Sequence, residues 1–227
     1  MRWHDLLFAH WPITVEALRP LIPSGLEIDT FDGSGWLGVV SFRMSQVGPV
    51  GLPTPPILGR FGEINVRTYV TNGGHRGVWF FSLDAASVPT VIGASLWFHL
   101  PYRLAAVTCR TDFDGSISYR SRRAHPRLGA AGFTARYRPT GPIELADAGT
   151  LNAFLTDRPS LFSSDRHGHL YRGDIRHAAW PLQPAEAEIR SETLVAAAGL
   201  QRPRTAPVLA FAGTLDVVAA WPSRILP

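Results

Sequence analysis

Phe61-Gly62-Glu63-Ile64-Asn65-Val66-Arg67-Thr68-Tyr69-Val70 is followed by Asn72-Gly73-Gly74 and then by Gly77-Val78-Trp79-Phe80-Phe81-Ser82-Leu83-Asp84-Ala85. The first run alternates with period two, so a strand here carries Phe61, Glu63, Asn65, Arg67 and Tyr69 on one face and Ile64, Val66, Thr68 and Val70 on the other. The Asn-Gly-Gly step supplies the positive-φ positions of a tight hairpin, and the aromatic run returns as its partner strand. Working outward, turn residues and alternation predict strands over 36–44, 95–99, 105–112, 117–123, 132–137 and 208–220, with Trp36, Gly38, Val40 and Phe42 sharing a face. Helices are expected over 15–21, capped by Thr14, over 150–157, and over 184–200, where Glu186 and Glu188 lie near the start and Gly199 at the end. The proline-rich residues 49–56 cannot continue a ladder and read as a loop or rim. The expectation is an α+β, mainly β domain spanning 1–227, a sandwich or barrel with a few short helices.

All 22 basic residues are arginine. Arginine binds anions through a planar fork but does not serve as a carbonyl nucleophile, so a lysine Schiff base is excluded. The net charge of +4 is modest, and the densest cluster, Arg120, Arg122, Arg123 and Arg127, is broken by Ser121 and Pro126. A solvated sheet face is expected there, and no nucleic-acid partner. Cys109 is the single cysteine, which rules out an internal disulfide framework and fits a cytoplasmic setting. The apolar stretch 78–100 is interrupted by Asp84, Pro89 and His99, so no membrane span is expected.

Signatures of common cofactor and hydrolase chemistry are missing: there is no GxSxG, HExxH or Walker loop, and Gly33-Ser34-Gly35 leads into a strand as a simple turn. No cofactor is expected. His167-Gly168-His169, preceded by Asp165, has donors suited to zinc, but an HxH in a polar loop arises easily among eight histidines, and no metal is assigned. The ladder Glu63-Asn65-Arg67-Tyr69 is the most informative feature. It fits the solvent face of a sheet and the lining of a pocket equally well, and periodicity alone leaves both open.

Several further blocks carry a resemblance: Phe8-x-His10-Trp11-Pro12, Leu18-Arg19-Pro20-Leu21-Ile22-Pro23-x-Gly25-Leu26, the hairpin above, Leu100-Pro101-Tyr102, Leu155-Thr156-x-Arg158 and His177-x-x-Trp180-Pro181-Leu182. Together they resemble the YqjF-like bacterial proteins, within the acetoacetate decarboxylase-like superfamily. That resemblance implies a β-barrel-like core with an interior pocket, and an expectation of homo-oligomers. Phe61-Gly62-Glu63 is similar to the aromatic-x-Glu segment of the decarboxylases, while Pro101-Tyr102-Arg103 stands where those enzymes carry Pro-Lys-Lys. Nucleophile and activating cation are therefore both replaced, which removes imine chemistry.

With the ladder inside a pocket, Arg67 would bind a substrate anion, Glu63 would do acid-base work, and Tyr102 would donate or orient; Asn65, Arg43, Asp84 and His177 are further binding candidates. Each has a structural alternative: Arg67 and Glu63 as a buried ion pair, Asp84 as a turn cap, His177 bonded to a backbone carbonyl. Three functions remain open, namely a binding protein for a small oxo or hydroxy acid, a cofactor-independent acid-base enzyme on such an acid, and a structural protein with a filled interior.

Overall fold

The structure is a computed structural model that describes residues 1–48, 59–124 and 130–226. In chain order its elements are β1 (Arg2–Ile13), α1 (Val15–Leu18), β2 (Glu27–Ile28), β3 (Gly35–Ser45), β4 (Phe61–Asn72), β5 (His75–Ala85), α2 (Val88–Trp97), β6 (Tyr102–Thr111), β7 (Ile117–Arg123), β8 (Gly132–Pro139), α3 (Leu151–Thr156), β9 (Ser160–Ser164), β10 (Leu170–His177), β11 (Leu182–Glu192), α4 (Leu194–Ala197), β12 (Val208–Ala219) and β13 (Ser223–Arg224). The β4–β5 hairpin turns on Gly73 and Gly74 at φ 57° and 79°, a turn whose twist matches that of the strands.

Two long strands fork, and this organises the sheet. β5 pairs with β9 through Gly77, Val78 and Trp79, and with β6 through Leu83, Asp84 and Ala85. β12 pairs with β11 near Ala210 and with β10 near Val218. Paired neighbours can thus be followed in a closed circuit through β4, β5, β9, β10, β12, β1 and β3. The β12-β1-β3-β4 layer is consequently covered on both sides. One face sets Leu7, Ala9, Trp11, Leu37, Val39, Ile64 and Val66 against Tyr119, Phe133 and Tyr137 of β7 and β8. The other sets Leu6, Phe8, Val40 and Phe42 against Trp180, and Tyr69 against Phe154 and Leu155 of α3. This second face carries the polar ladder, which is therefore buried and not solvated.

Two expected elements differ. Residues 95–99 belong to the end of α2 and its cap rather than to a strand: Ser87 accepts from the Thr90 amide and Pro89 sits in the first turn, so helical signals upstream extend through the apolar run. Residues 184–200 are mostly β11, with only Leu194–Ala197 helical. Ala185, Ala187 and Ile189 turn inward while Glu186, Glu188 and Arg190 turn out, a period of two that the acidic start of the segment masked. β1, β9 and β10 were not anticipated. The arginine cluster also divides: Arg120 and Arg122 are exposed, but Arg123 is buried against Asp84. Arg127 and the proline-rich rim lie outside the described residues. No helix among the described residues is long and apolar enough to cross a membrane.

Candidate functional site

Strand register sets the site out in rows. His10 of β1 lies opposite Gly38 of β3, which lies opposite Arg67 of β4 and, beyond it, Phe80 of β5. The adjacent row runs Phe8, Val40, Asn65, Leu83 and Tyr102. Glu63 follows two residues further along β4. Gly38 is what lets the first row hold two large polar side chains: a Cβ there would stand 2.9 Å from His10 Cδ2 and 3.3 Å from Arg67 Cγ.

Arg67 is buried, with its guanidinium carbon 5.7 Å from the centres of both the Phe8 and Tyr69 rings. One Nη donates to the Leu155 carbonyl at 3.0 Å, and the Tyr69 hydroxyl donates to the same oxygen at 2.9 Å. Arg67 Nε, His10 Nε2 and Asn65 Oδ1 are buried with no hydrogen-bond partner among the described residues. No carboxylate pairs with Arg67 there, in contrast to the buried or half-buried Arg123, Arg158 and Arg43, which take Asp84, Asp29 and Asp5. The undescribed stretches 49–58 and 125–129 contain no Asp or Glu to supply one. A buried, unpaired guanidinium is costly, and an anionic ligand is the ordinary way to satisfy it.

At the other end of the ladder the Tyr102 hydroxyl donates to Glu63 Oε2 at 3.0 Å. Burial pushes the Glu63 carboxyl up to about 8; the Tyr102 hydrogen bond opposes that shift and the nearby Asp84 charge adds to it. Desolvation also raises the Tyr102 hydroxyl, and the neighbouring Glu63 raises it further. Desolvation and Arg67 hold the His10 imidazole well below its ordinary value, so it is neutral. At pH 7 the ladder therefore carries one positive charge, Arg67, and a carboxylic acid able to donate a proton. The alternative of a Glu63–Arg67 ion pair is not what forms, since four residue steps along the strand hold their Cα atoms about 13 Å apart.

Glu63, Asn65, Arg67 and Tyr102 thus share one face. Arg43 points from the opposite face of β3 and is held by Asp5. Asp84 receives two hydrogen bonds from Arg123, at 2.8 and 2.9 Å, rather than capping a turn. His177 Nδ1 lies 2.7 Å from the Ala178 carbonyl, and its ring packs at 4.8 Å on Trp180, whose edge meets Phe8. His177 is thereby two side chains, Trp180 and Phe8, removed from Arg67. In the HxH loop Asp165 accepts from the backbone of His167 and His169 and from the His169 ring, and no metal-ligating group forms among the described residues. His10 was not among the candidates; without β1, nothing in the sequence says which way it faces.

The architecture is that of the acetoacetate decarboxylases. The structure is similar to acetoacetate decarboxylase from Legionella pneumophila subsp. pneumophila str. Philadelphia 1, with a TM-score of 0.66 and 12% identity over 100% of this chain and 88% of that one. It is similar to the enduracididine biosynthesis enzyme MppR complexed with pyruvate, with a TM-score of 0.67 and 13% identity over 99% and 90%. It is also similar to an acetoacetate decarboxylase-like enzyme from Sphingomonas wittichii RW1, with a TM-score of 0.62 and 16% identity over 99% and 91%. At these identities the likeness is one of fold. Closer kinship is found in sequence: the chain is 41% identical over 222 residues to the uncharacterized protein YqjF of Bacillus subtilis (strain 168), covering 98% of this chain and 90% of that protein. Residues 1–216 match the family DUF2071, described as an uncharacterized conserved protein, and the chain belongs to that family.

Proposed function

We propose that the chain binds a small organic acid of the oxo or hydroxy class between Arg67 and Glu63. The observation that carries this reading is the buried Arg67 guanidinium without a carboxylate partner, flanked by the unpartnered Nε2 of His10 and Oδ1 of Asn65. A ligand carboxylate on Arg67 would supply the missing charge, and a carbonyl or hydroxyl further along would meet the neutral Glu63 and Tyr102. A likeness of fold to MppR, whose structure holds pyruvate, is consistent with a pocket of this kind. Because the chain has no lysine, no lysine imine step is available to it.

A second reading has its own support. A carboxyl raised to about 8 and hydrogen-bonded to a phenol is suited to proton transfer near neutral pH, which favours a cofactor-independent lyase or isomerase on the same class of acid.

Thermal unfolding of the purified chain against a panel of small oxo and hydroxy acids separates these possibilities. A ligand at about 100 times its Kd adds roughly 2.7 kcal/mol, a rise on the order of 5 °C in a domain of this size. A rise that vanishes in Arg67→Met supports the acid-binding site. Turnover of that same ligand that is lost in Glu63→Gln then supports the enzyme. No rise with any acid, or an undiminished rise in Arg67→Met, overturns the proposal in favour of a filled, structural interior.

A further inference from the structure

α2 is uncharged and apolar, yet none of its residues is buried. Val88, Ile92, Leu96 and Trp97 are 52%, 54%, 65% and 63% exposed. The first three recur every fourth residue and form one stripe, and the Trp97 ring folds back along the next, over Gly93. The patch continues onto the C-terminal segment: Trp221, 72% exposed, lies 5.4 Å from the Phe98 ring and 6.3 Å from that of Trp97. A helix that is apolar on all sides is normally covered on all sides.

The amount of surface indicates what covers it. Taking side-chain areas of roughly 150–250 Å², these five residues expose about 600 Å² of contiguous apolar surface. That is the upper end of what a monomer shows, ~300–600 Å². Homodimer interfaces are about 65% apolar, so ~600 Å² of apolar surface corresponds to ~900 Å² in all, against the ~800 Å² per partner of a standard stable interface.

The chemistry indicates the partner. Between Arg76 and Arg103 the only Asp, Glu, Arg or His residues are Asp84, which is consumed by Arg123, and His99. Helices that lie in a lipid surface carry a face rich in lysine or arginine, which α2 lacks. At a two-fold axis each residue faces the same surface of its own copy, so a charged patch repels itself while an uncharged one does not. Exposed tryptophans are also the side chains on which interface energy concentrates.

We propose that α2 and Trp221 form an isologous, two-fold interface with a second copy of this chain. The helix joins β5 to β6 and leads into the strand whose first residue is Tyr102, so the interface adjoins the element that brings Tyr102 to the ladder.

Sedimentation of the full-length chain tests this, at about 10 μM, above the weak end of affinities for interfaces of this size. The expected result is an assembly of an even number of chains. Ile92→Asp and Leu96→Asp should each halve its mass or reduce it to one chain, with far-UV circular dichroism unchanged because the substituted side chains are exposed. Should either fail to fold, Leu96→Ala adds no charge and keeps helix propensity; it should weaken assembly about tenfold on dilution. A wild-type chain that sediments alone overturns the proposal, as does an assembly indifferent to Leu96→Asp and Leu96→Ala. A lone chain that co-sediments with phosphatidylcholine vesicles replaces the second copy with a lipid surface.

Discussion

The Tyr102 hydroxyl donates a hydrogen bond to Glu63 across 3.0 Å, and this joins the first residue of β6 to the third residue of β4 inside the protein. The phenol moderates the carboxyl's rise but does not cancel it, leaving Glu63 near 8 against 4.5 in an open chain. Between those values the folded chain holds a proton that the unfolded chain has released. Stability therefore falls as pH rises: the contribution is full below pH 4.5 and lost by about pH 8, with a slope of about 1.4 kcal/mol per pH unit. Glu63→Gln should flatten this slope, and urea denaturation at pH 5, 6.5 and 8 would measure it. A Glu63→Gln protein with the same pH dependence as wild type would show that Glu63 ionises normally.

The same titration bears on the proposed ligand. Above about pH 8 the ladder gains a negative charge at Glu63 while Arg67 stays positive, so affinity for an organic acid should drop there several-fold. Calorimetric titration from pH 6 to 9 should show the drop in wild type and its absence in Glu63→Gln.

Asp84 and Arg123 form a buried pair, with Asp84 opposite Ile64 on the other face of the strands that carry the ladder. Removing one partner strands a charge in the interior, so Asp84→Ala or Arg123→Ala should each cost about 3–5 kcal/mol, while Asp84→Leu with Arg123→Met should recover much of that loss. Equilibrium denaturation of the three variants measures it. The Asp84 charge also helps raise Glu63, so the double variant should lower the Glu63 pKa, as read from its side-chain carboxyl resonance in NMR.

The fold was legible where one signal acted alone. Alternation from Phe61 to Val70, closed by Gly73-Gly74, placed β4, β5 and the whole polar ladder on their true faces. Thr14 caps its helix as expected, accepting from the Ala17 amide; Thr150, read as the first residue of a helix over 150–157, is instead the cap of α3 and accepts from the Ala153 amide. Reading failed where two signals competed. In β11 the acids and the terminal Gly199 imitated helix ends, while small alanines gave the inward face little hydropathic contrast. In β1 the run Leu6-Leu7-Phe8-Ala9 is buried on both faces, so it has no alternation to read. Its loss concealed His10. Arg123 was grouped with exposed arginines because its partner Asp84 is far away in sequence, a pairing only the fold creates. Asp5, at φ 53° in the β1 bulge, likewise claims Arg43 through tertiary contact.

Leu155 accepts hydrogen bonds from Arg67 and from Tyr69, so either donor alone keeps its carbonyl satisfied. Tyr69→Phe should cost only about 0.5–1.5 kcal/mol. Combining Tyr69→Phe with Arg67→Met leaves that buried oxygen without a donor and should cost more than the two singles added, by about 1 kcal/mol or more. Urea denaturation of the cycle measures the excess, and strict additivity would mean that water already serves the carbonyl.

Gly38 offers the sharpest separation of binding from stability. It sits on a regular strand between His10 and Arg67, so alanine is conformationally acceptable there, and what changes is space. An added Cβ would stand 2.9 Å from His10 Cδ2 and 3.1 Å from His10 Nε2, which forces the imidazole to move, and 3.3 Å from Arg67 Cγ, which pushes the guanidinium with it. Overpacking of this kind costs about 1–3 kcal/mol, leaving a folded protein at room temperature. A ligand that depends on His10 and Arg67 standing side by side should nevertheless lose at least tenfold in affinity, since an ångström of misplacement in a charge-assisted contact weakens it severely. Gly38→Ala should therefore cut the acid-induced thermal shift to about half or less at the same ligand concentration while remaining cooperatively folded; a shift as large as wild type would place the ligand elsewhere than on this row.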